Sequence, residues 1–187
     1  MTEDRQLIHE IMNGSEAAME VLTRRYYKSI FSFVYRKVGN KDSAYDLTQD
    51  IFIKMIKKID TYSNKGSFKS WLYTLAVNHC RDYWKSADYK VTSKQSELPD
   101  YLSNEQNQVP YIFEKKETRE QVKAAVEELP EYQKEVVLLK YFHDLKIRDI
   151  SEVTKAKEST VKSRLRQGLS KLEVIIRRGE KHEQKRM

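Results

Sequence analysis

A single cysteine, Cys80, stands in a chain of 187 residues. One thiol permits no internal disulfide, and no cysteine-based zinc site can be built from it. Helix breakers are also scarce, with 5 glycines and 3 prolines. That excludes a collagen-like or Gly/Pro-rich low-complexity chain and favours helix. No stretch approaches the roughly 18–20 apolar residues that a membrane span requires. The amino terminus carries Glu3, Asp4, Arg5 and Glu10, so it lacks the apolar core of a signal peptide. The expectation is a cytoplasmic protein with no membrane insertion of its own. His9, His79, His143 and His182 are scattered along the chain. No His-Glu-x-x-His, paired Glu-x-x-His or phosphate-cradling loop occurs. A helical enzyme is therefore disfavoured, and no catalytic residue, metal ligand or cofactor is expected.

What the chain does have is charge. Lys and Arg number 35 against 28 Asp and Glu, a net charge of +7. The excess is steepest at the carboxyl end, where residues 155–187 hold 11 basic residues and 4 acidic ones. A basic surface of this kind suits an acidic partner such as nucleic acid. Residues 87–115 contain Pro99 and Pro110 among Ser, Asn and Gln clusters, and they lack a sustained helical period. The expected architecture is all-α. Two small helical domains, 1–86 and 116–187, are joined by a flexible linker, 87–115.

In the first domain Leu7, Ile8, Ile11 and Met12 form an apolar stripe that Asn13-Gly14-Ser15 breaks, with Ser15 free to cap the next helix. Leu22, Tyr26, Ile30, Phe33 and Val34 make the second stripe, which Gly39 ends. Asp42 or Ser43 is placed to cap the third helix. Its buried face is read as Leu47, Ile51, Met55 and Ile59 with Phe52 and Ile56 beside them. Asp46, Gln49, Asp50, Lys54 and Lys57 then face away. After the polar loop Thr61–Ser67, a helix runs from Phe68 to Ser86, with Phe68, Trp71, Leu72, Leu75, His79 and Tyr83 expected inward. Ser70, Thr74, Asn78, Arg81 and Lys85 align as a polar stripe whose side chains match phosphate oxygens and base edges. Tyr62, Phe68, Trp71, Tyr73, Tyr83 and Trp84 crowd the same segment. Aromatics beside cations suit unstacked bases, although a small core also uses aromatics for volume.

In the second domain Val122, Ala125, Val126 and Leu129 form a stripe ending at Pro130, which suits a helical first turn. A short helix, Lys146–Thr154, buries Ile147, Ile150 and Val153. The joint Lys155-Ala156-Lys157 leads to a longer helix from Glu158 to about Arg177, whose buried stripe is Val161, Leu165, Leu169, Leu172 and Ile176. Lys162, Ser163, Arg166, Gln167 and Ser170 face away. Short helix, tight joint and a helix with a basic outer face form the helix-turn-helix pattern, whose second helix enters a DNA major groove.

The residues now in hand resemble bacterial sigma factors of the extracytoplasmic-function type, over nearly the whole chain. Asp46-Leu47-Thr48-Gln49-Asp50-Ile51-Phe52 is similar to that family's Asp-Leu-x-Gln-[Glu/Asp]-x-Phe motif. Phe68–Tyr73 through Asn78, with Arg81-Asp82-Tyr83, resembles its promoter-melting helix. Leu129-Pro130 with Lys134, Val136 and Leu139 resembles the opening of its last domain. Asp149-Ile150-Ser151 and Ser159–Leu165 resemble its helix-turn-helix. The resemblance implies an initiation subunit without catalysis, built from sigma domains 2 and 4. Asp46, Gln49, Asp50 and Phe52 would bind core RNA polymerase at the β′ clamp helices, and the β flap would be a second contact. Tyr62, Asn64, Ser70, Thr74, Asn78, Arg81 and Lys85 would read and open the −10 element. Ser159, Thr160, Lys162, Ser163, Arg166 and Gln167 would read the −35 element. Promoter DNA and an anti-sigma factor are the other implied partners, and the linker would thread toward the polymerase active-site and RNA-exit path.

Three residues depart from the family pattern. Lys155 stands where Gly is common, so a differently shaped joint is expected. Lys157 replaces a common capping Ser, which moves the expected helix start to a cap at Ser159. Gln167 replaces a frequent Arg, which puts the family's usual −35 preference in question. The competing reading is a stand-alone helix-turn-helix regulator, which accounts for the second domain and leaves the cationic, aromatic helix Phe68–Ser86 without a purpose.

Overall fold

The structure is a computed structural model that describes residues 3–63, 66–86 and 116–184. The proposed linker 87–115 and Asn64 lie outside the described residues. Every regular element among the described residues is helical. Two compact units divide the chain, each with its own core.

The first unit contains α1 (Glu3–Met12), α2 (Glu16–Val38), α3 (Lys41–Lys58), a 3-10 turn (Ile59–Thr61) and α4 (Phe68–Lys85). Helix α2 packs against α1, α3 and α4, and Leu22, Ile30, Phe33 and Val34 are fully buried along it. Its ends follow local chemistry. Ser15 Oγ accepts from Ala18 N–H at 3.2 Å. Gly39 takes the left-handed φ of 76° that an achiral residue adopts without strain, and closes the helix onto the Tyr35 carbonyl. Helix α3 is capped by Asn40 rather than by Asp42 or Ser43: Asn40 Oδ1 accepts from Ser43 N–H at 2.8 Å. Ser67 caps α4 by accepting from Ser70 N–H.

Helix α3 buries the expected set except Ile56, whereas α4 is rotated relative to the sequence expectation. On α3, Leu47, Ile51, Phe52 and Met55 are buried, but Ile56 is 40% exposed and Ile53 48%. On α4 the buried set is Phe68, Ser70, Leu72, Tyr73, Ala76, Val77 and Cys80. Trp71, Leu75, His79 and Tyr83, expected inward, are only half-buried. Tyr73 takes the inner position because its ring meets Phe33 edge-on at 5.5 Å and its hydroxyl shares a 2.7 Å hydrogen bond with Ser29. A second polar tie joins α3 to α4. Lys54 Nζ donates to His79 Nδ1 at 2.6 Å, which leaves the ring proton on Nε2, 3.4 Å from Asp50 Oδ2.

The second unit contains α5 (Lys116–Glu127), α6 (Glu131–Val137), a π-turn (Leu138–Phe142), α7 (Ile147–Thr154) and α8 (Glu158–Gln184). Pro130 sits at the residue before α6, not within its first turn. Val136, Leu138, Leu139, Ile150 and Val161 fill the core. Gly168 lets α6 approach α8, since a Cβ there would lie 3.0 Å from Val137 Cγ2. Leu169, expected in the buried stripe, is 42% exposed, because Leu165, Gly168 and Leu172 carry the inward line instead. Lys155 adopts a left-handed φ of 56°. The joint therefore keeps the backbone turn that glycine usually supplies, at a cost of about 1–2 kcal/mol. Ser151 offsets part of this: its hydroxyl donates to the Ala156 carbonyl at 2.6 Å, and its carbonyl accepts from Ala156 N–H. Helix α8 begins at Glu158, so Ser159 lies inside the first turn rather than at the cap.

Two predictions come from buried charge. Lys134, with a side chain only 5% exposed, pairs with Glu127. Glu127→Ala strands that ammonium and is expected to destabilise the second unit by about 1–3 kcal/mol. Adding Lys134→Met is expected to recover most of the loss in urea unfolding; equal stability of parent and single variant would contradict the pairing. The His79 ring is held below its ordinary value of 6.5, first by burial and then by the Lys54 ammonium, against the opposing pull of Asp50. The folded state thus disfavours the charged ring. Its contribution is complete above 6.5 and is lost as pH falls below that value. Unfolding followed between about pH 7.5 and 5.5 should show the parent weakening more steeply than His79→Gln, and identical slopes would contradict this assignment.

Candidate nucleic-acid interface

The outer face of α3 carries Asp46, Gln49 and Asp50, all exposed. Phe52 is buried and stacks on Tyr27 at 5.6 Å, so it supports this face from beneath. Tyr45, Ile53 and Ile56 are exposed on the same helix, and the sequence reading missed them. The available signal was crowding: Ile51, Phe52, Ile53, Met55 and Ile56 are too many apolar residues for one helical stripe. The face therefore combines acceptors with exposed hydrocarbon.

The stripe expected on α4 does not form one exposed line. Lys85 is exposed, and Thr74, Asn78 and Arg81 are half-buried at the margin. Ser70 is buried and bonds Ser67, while its carbonyl accepts the Thr74 hydroxyl. Tyr62 is 6% exposed, with its ring against Phe68 and Trp71 and its hydroxyl donating to the Gly66 carbonyl at 2.6 Å. That ring offers no open face for a base. Of the six aromatics, Tyr62, Phe68 and Tyr73 are core, and Trp71, Tyr83 and Trp84 are half-buried.

In the second unit Ser159, Lys162, Arg166 and Gln167 are exposed on α8, with Thr160 and Ser163 half-buried between them. Gln167 is oriented from both sides. Its Oε1 accepts from Gln133 Nε2 at 3.4 Å, and its Nε2 donates to Ser163 Oγ at 3.5 Å. Arg164, to which the sequence pattern assigns no role, stacks over the Tyr132 ring at 5.7 Å. Lys146, Arg148, Lys155 and Lys157 add exposed cations on and beside α7. A helix with this basic face, preceded by a short helix and a three-residue joint, has the geometry of a major-groove reader. Among the described residues no cluster of His, Cys, Asp or Glu could hold a metal ion. No described helix is long and apolar enough to cross a membrane.

Comparison with known proteins accounts for both units. Residues 22–89 match sigma-70 region 2, and residues 119–172 match sigma-70 region 4. The chain is 29% identical over 151 residues to RNA polymerase sigma factor SigV of Bacillus subtilis, covering 81% of this chain and 84% of that one. It is 25% identical over 170 residues to the RNA polymerase sigma-H factor of Pseudomonas aeruginosa, with 87% and 88% covered. Against the ECF RNA polymerase sigma-E factor of Escherichia coli the identity is 26%, with 94% and 97% covered. Two solved structures share the fold. One is CnrH in complex with the cytosolic domain of CnrY, at TM-score 0.67 and 18% identity over 92% of this chain and 96% of that one. The other is RpoE of Bartonella quintana with the anti-sigma factor NepR, at TM-score 0.65 and 18% identity over 84% and 96%. The stand-alone regulator is set aside, because region 2 accounts for the segment that reading left without a purpose. With both regions present in order, and with alignment to sigma factors along most of its length, the chain belongs to the sigma-70 family as an ECF-type factor that directs promoter-specific transcription initiation.

Proposed function

We propose that the two units divide initiation between them, without catalysis by the chain itself, in the cytoplasm where core polymerase works. Helix α3 docks core RNA polymerase at the β′ clamp helices. The observation that carries this is the pairing of Asp46, Gln49 and Asp50 with Ile53 and Ile56, exposed at 48% and 40%. Acceptors alone suit water, whereas acceptors around exposed isoleucines suit a protein partner. The β flap is the second polymerase contact and falls to the second unit.

The −10 element is read and opened by the segment following α3 and by α4. Thr74, Asn78, Arg81 and Lys85 supply polar contacts, and half-buried Trp71 and Trp84 are the aromatics that can meet a base. Tyr62 and Ser70 serve this region from beneath rather than by direct contact. Asn64, in the same loop, is kept as a base-edge contact. Helix α8 reads the −35 element through Ser159, Thr160, Lys162, Ser163, Arg166 and Gln167. The tie from Gln133 to Gln167 presents an amide where the family has Arg, and an amide favours adenine over guanine. The solved neighbours are complexes with CnrY and with NepR, which supports an anti-sigma partner that covers both DNA-facing surfaces here.

Two experiments test the division. Asp46→Arg with Ile53→Ser should weaken core polymerase binding at least tenfold in a native-gel titration, with the melting temperature changed little, since both side chains are exposed. Asp50 is left in place because it faces His79. Undiminished core affinity would remove α3 as the docking face. Lys162→Ala and Arg166→Ala are then compared on a set of −35 variants. Loss of a base-reading cation should cost about 1–3 kcal/mol and relax preference at one position. Loss of a phosphate contact should weaken all sequences alike and flatten the salt dependence. No effect from either variant would mean that α8 meets DNA in another orientation.

A further inference from the structure

Helix α1 lies outside the matched sigma-70 segments, the first of which begins at residue 22. It is nevertheless connected to the −10 loop by a continuous run of contacts. Ile8 and Ile11 bury its inner face, and the helix packs against both α2 and the turn Ile59–Thr61 at the end of α3. At its first turn Asp4 accepts two hydrogen bonds from α2, one from Tyr26 Oη at 2.6 Å and one from Arg25 Nη1 at 2.6 Å. Glu3 reinforces the second, lying 3.0 Å from Arg25 Nη2. The Tyr26 ring then meets Phe68, the first residue of α4, edge-on at 5.4 Å. Phe68 lies 5.7 Å from the Tyr62 ring and 5.5 Å from Trp71. Tyr62 in turn closes the far side of the loop by donating to the Gly66 carbonyl.

The exit from α3 and the entry to α4 therefore rest on one aromatic cluster, and the orientation of Tyr26 within it is set from α1. We propose that α1 is a brace for the promoter-opening loop, with Asp4 and Tyr26 as positioning residues that act through Phe68 and Tyr62 without touching DNA. This rests on the reading that the loop and α4 capture the opened −10 strand. Holding a base outside the stack costs a few kcal/mol. With Tyr62 and Phe68 already fixed by these contacts, the two anchors of the loop lose no further conformational freedom when the base arrives. Freeing the Tyr26 hydroxyl from Asp4 lets the ring turn, withdraws the edge contact from Phe68, and loosens both ends of the loop together.

The test uses the full chain assembled with core polymerase on a promoter that the parent opens. Tyr26→Phe removes only the hydroxyl, and Asp4→Ala removes the acceptor itself, together with the Arg25 pairing. Each should lower the permanganate reactivity of −10 thymines about three- to tenfold, the scale of one hydrogen bond. Holoenzyme affinity for a single-stranded oligonucleotide of the −10 sequence should fall by a similar factor. Because both changes break the Tyr26–Asp4 bond and only Asp4→Ala also frees Arg25, the double variant should be no worse than Asp4→Ala alone. Core polymerase affinity and −35 duplex binding should stay at parental values. Unchanged thymine reactivity and oligonucleotide affinity would overturn the brace. So would a parallel fall in core affinity, which is what a merely structural α1 would produce. A parent chain that opens no promoter with core polymerase would instead overturn the functional reading, and the brace with it.

Discussion

The rotation of α4 about its own axis is set by Tyr73, and the first unit's outward chemistry depends on that rotation. The side chain is fully buried between α2 and α4, with its ring edge-on to Phe33 and its hydroxyl bonded to Ser29. Burial raises its pKa beyond any ordinary working pH, so it remains a neutral phenol. A buried hydroxyl without a partner would cost about 1–3 kcal/mol, which makes the Ser29 bond a strong constraint on register. With Tyr73 inward, Leu72, Ala76, Val77 and Cys80 follow it into the core. Asn78 and Arg81 are left at the margin and Lys85 outside.

The second unit solves a related problem with smaller means. Helix α8 must present a basic outer face while its inner face meets two helices. Gly168 gives α6 the close approach, and Lys134 is drawn into the interior by Glu127. The strain of Lys155 in the joint is met by two hydrogen bonds between Ser151 and Ala156. The Ser151–Ala156 bonds fix the turn between α7 and α8, and Gly168 seats α8 against α6. The residues proposed to read bases can then be exposed because their neighbours are not.

Much of this was legible in the residue order. Helical period, breakers and caps located α1, α2, α3 and the helix-turn-helix, because each has a dominant apolar period and a polar end signal. The rotation of α4 was not legible. Aromatics at 68, 71, 73, 83 and 84 spread around the helix, so no one stripe dominates, and the partner that draws Tyr73 inward lies 44 residues away. The exposure of Ile56 and Leu169 has the opposite cause: each is an extra apolar residue beside a core that is already full, and Ile53 is exposed on the same face of α3. The left-handed Lys155 was read as a change of joint shape, whereas the backbone keeps its turn and tolerates the side chain. The proposed site positions Asp46, Gln49 and Asp50 on α3 and Ser159, Lys162, Arg166 and Gln167 on α8 were legible as exposed, whereas Phe52 is buried. Those on α4 depended on a rotation that only long-range packing decides.

The central claim is that this one chain supplies polymerase docking, −10 opening and −35 reading together. The most direct measurement is permanganate footprinting of a promoter library with core polymerase, in the presence and absence of the full chain. The account predicts opening only when both are present, on promoters sharing one −35 block and one −10 block at a fixed separation. Opening without the chain, or binding of the chain to the same promoters without polymerase and without strand opening, would contradict it.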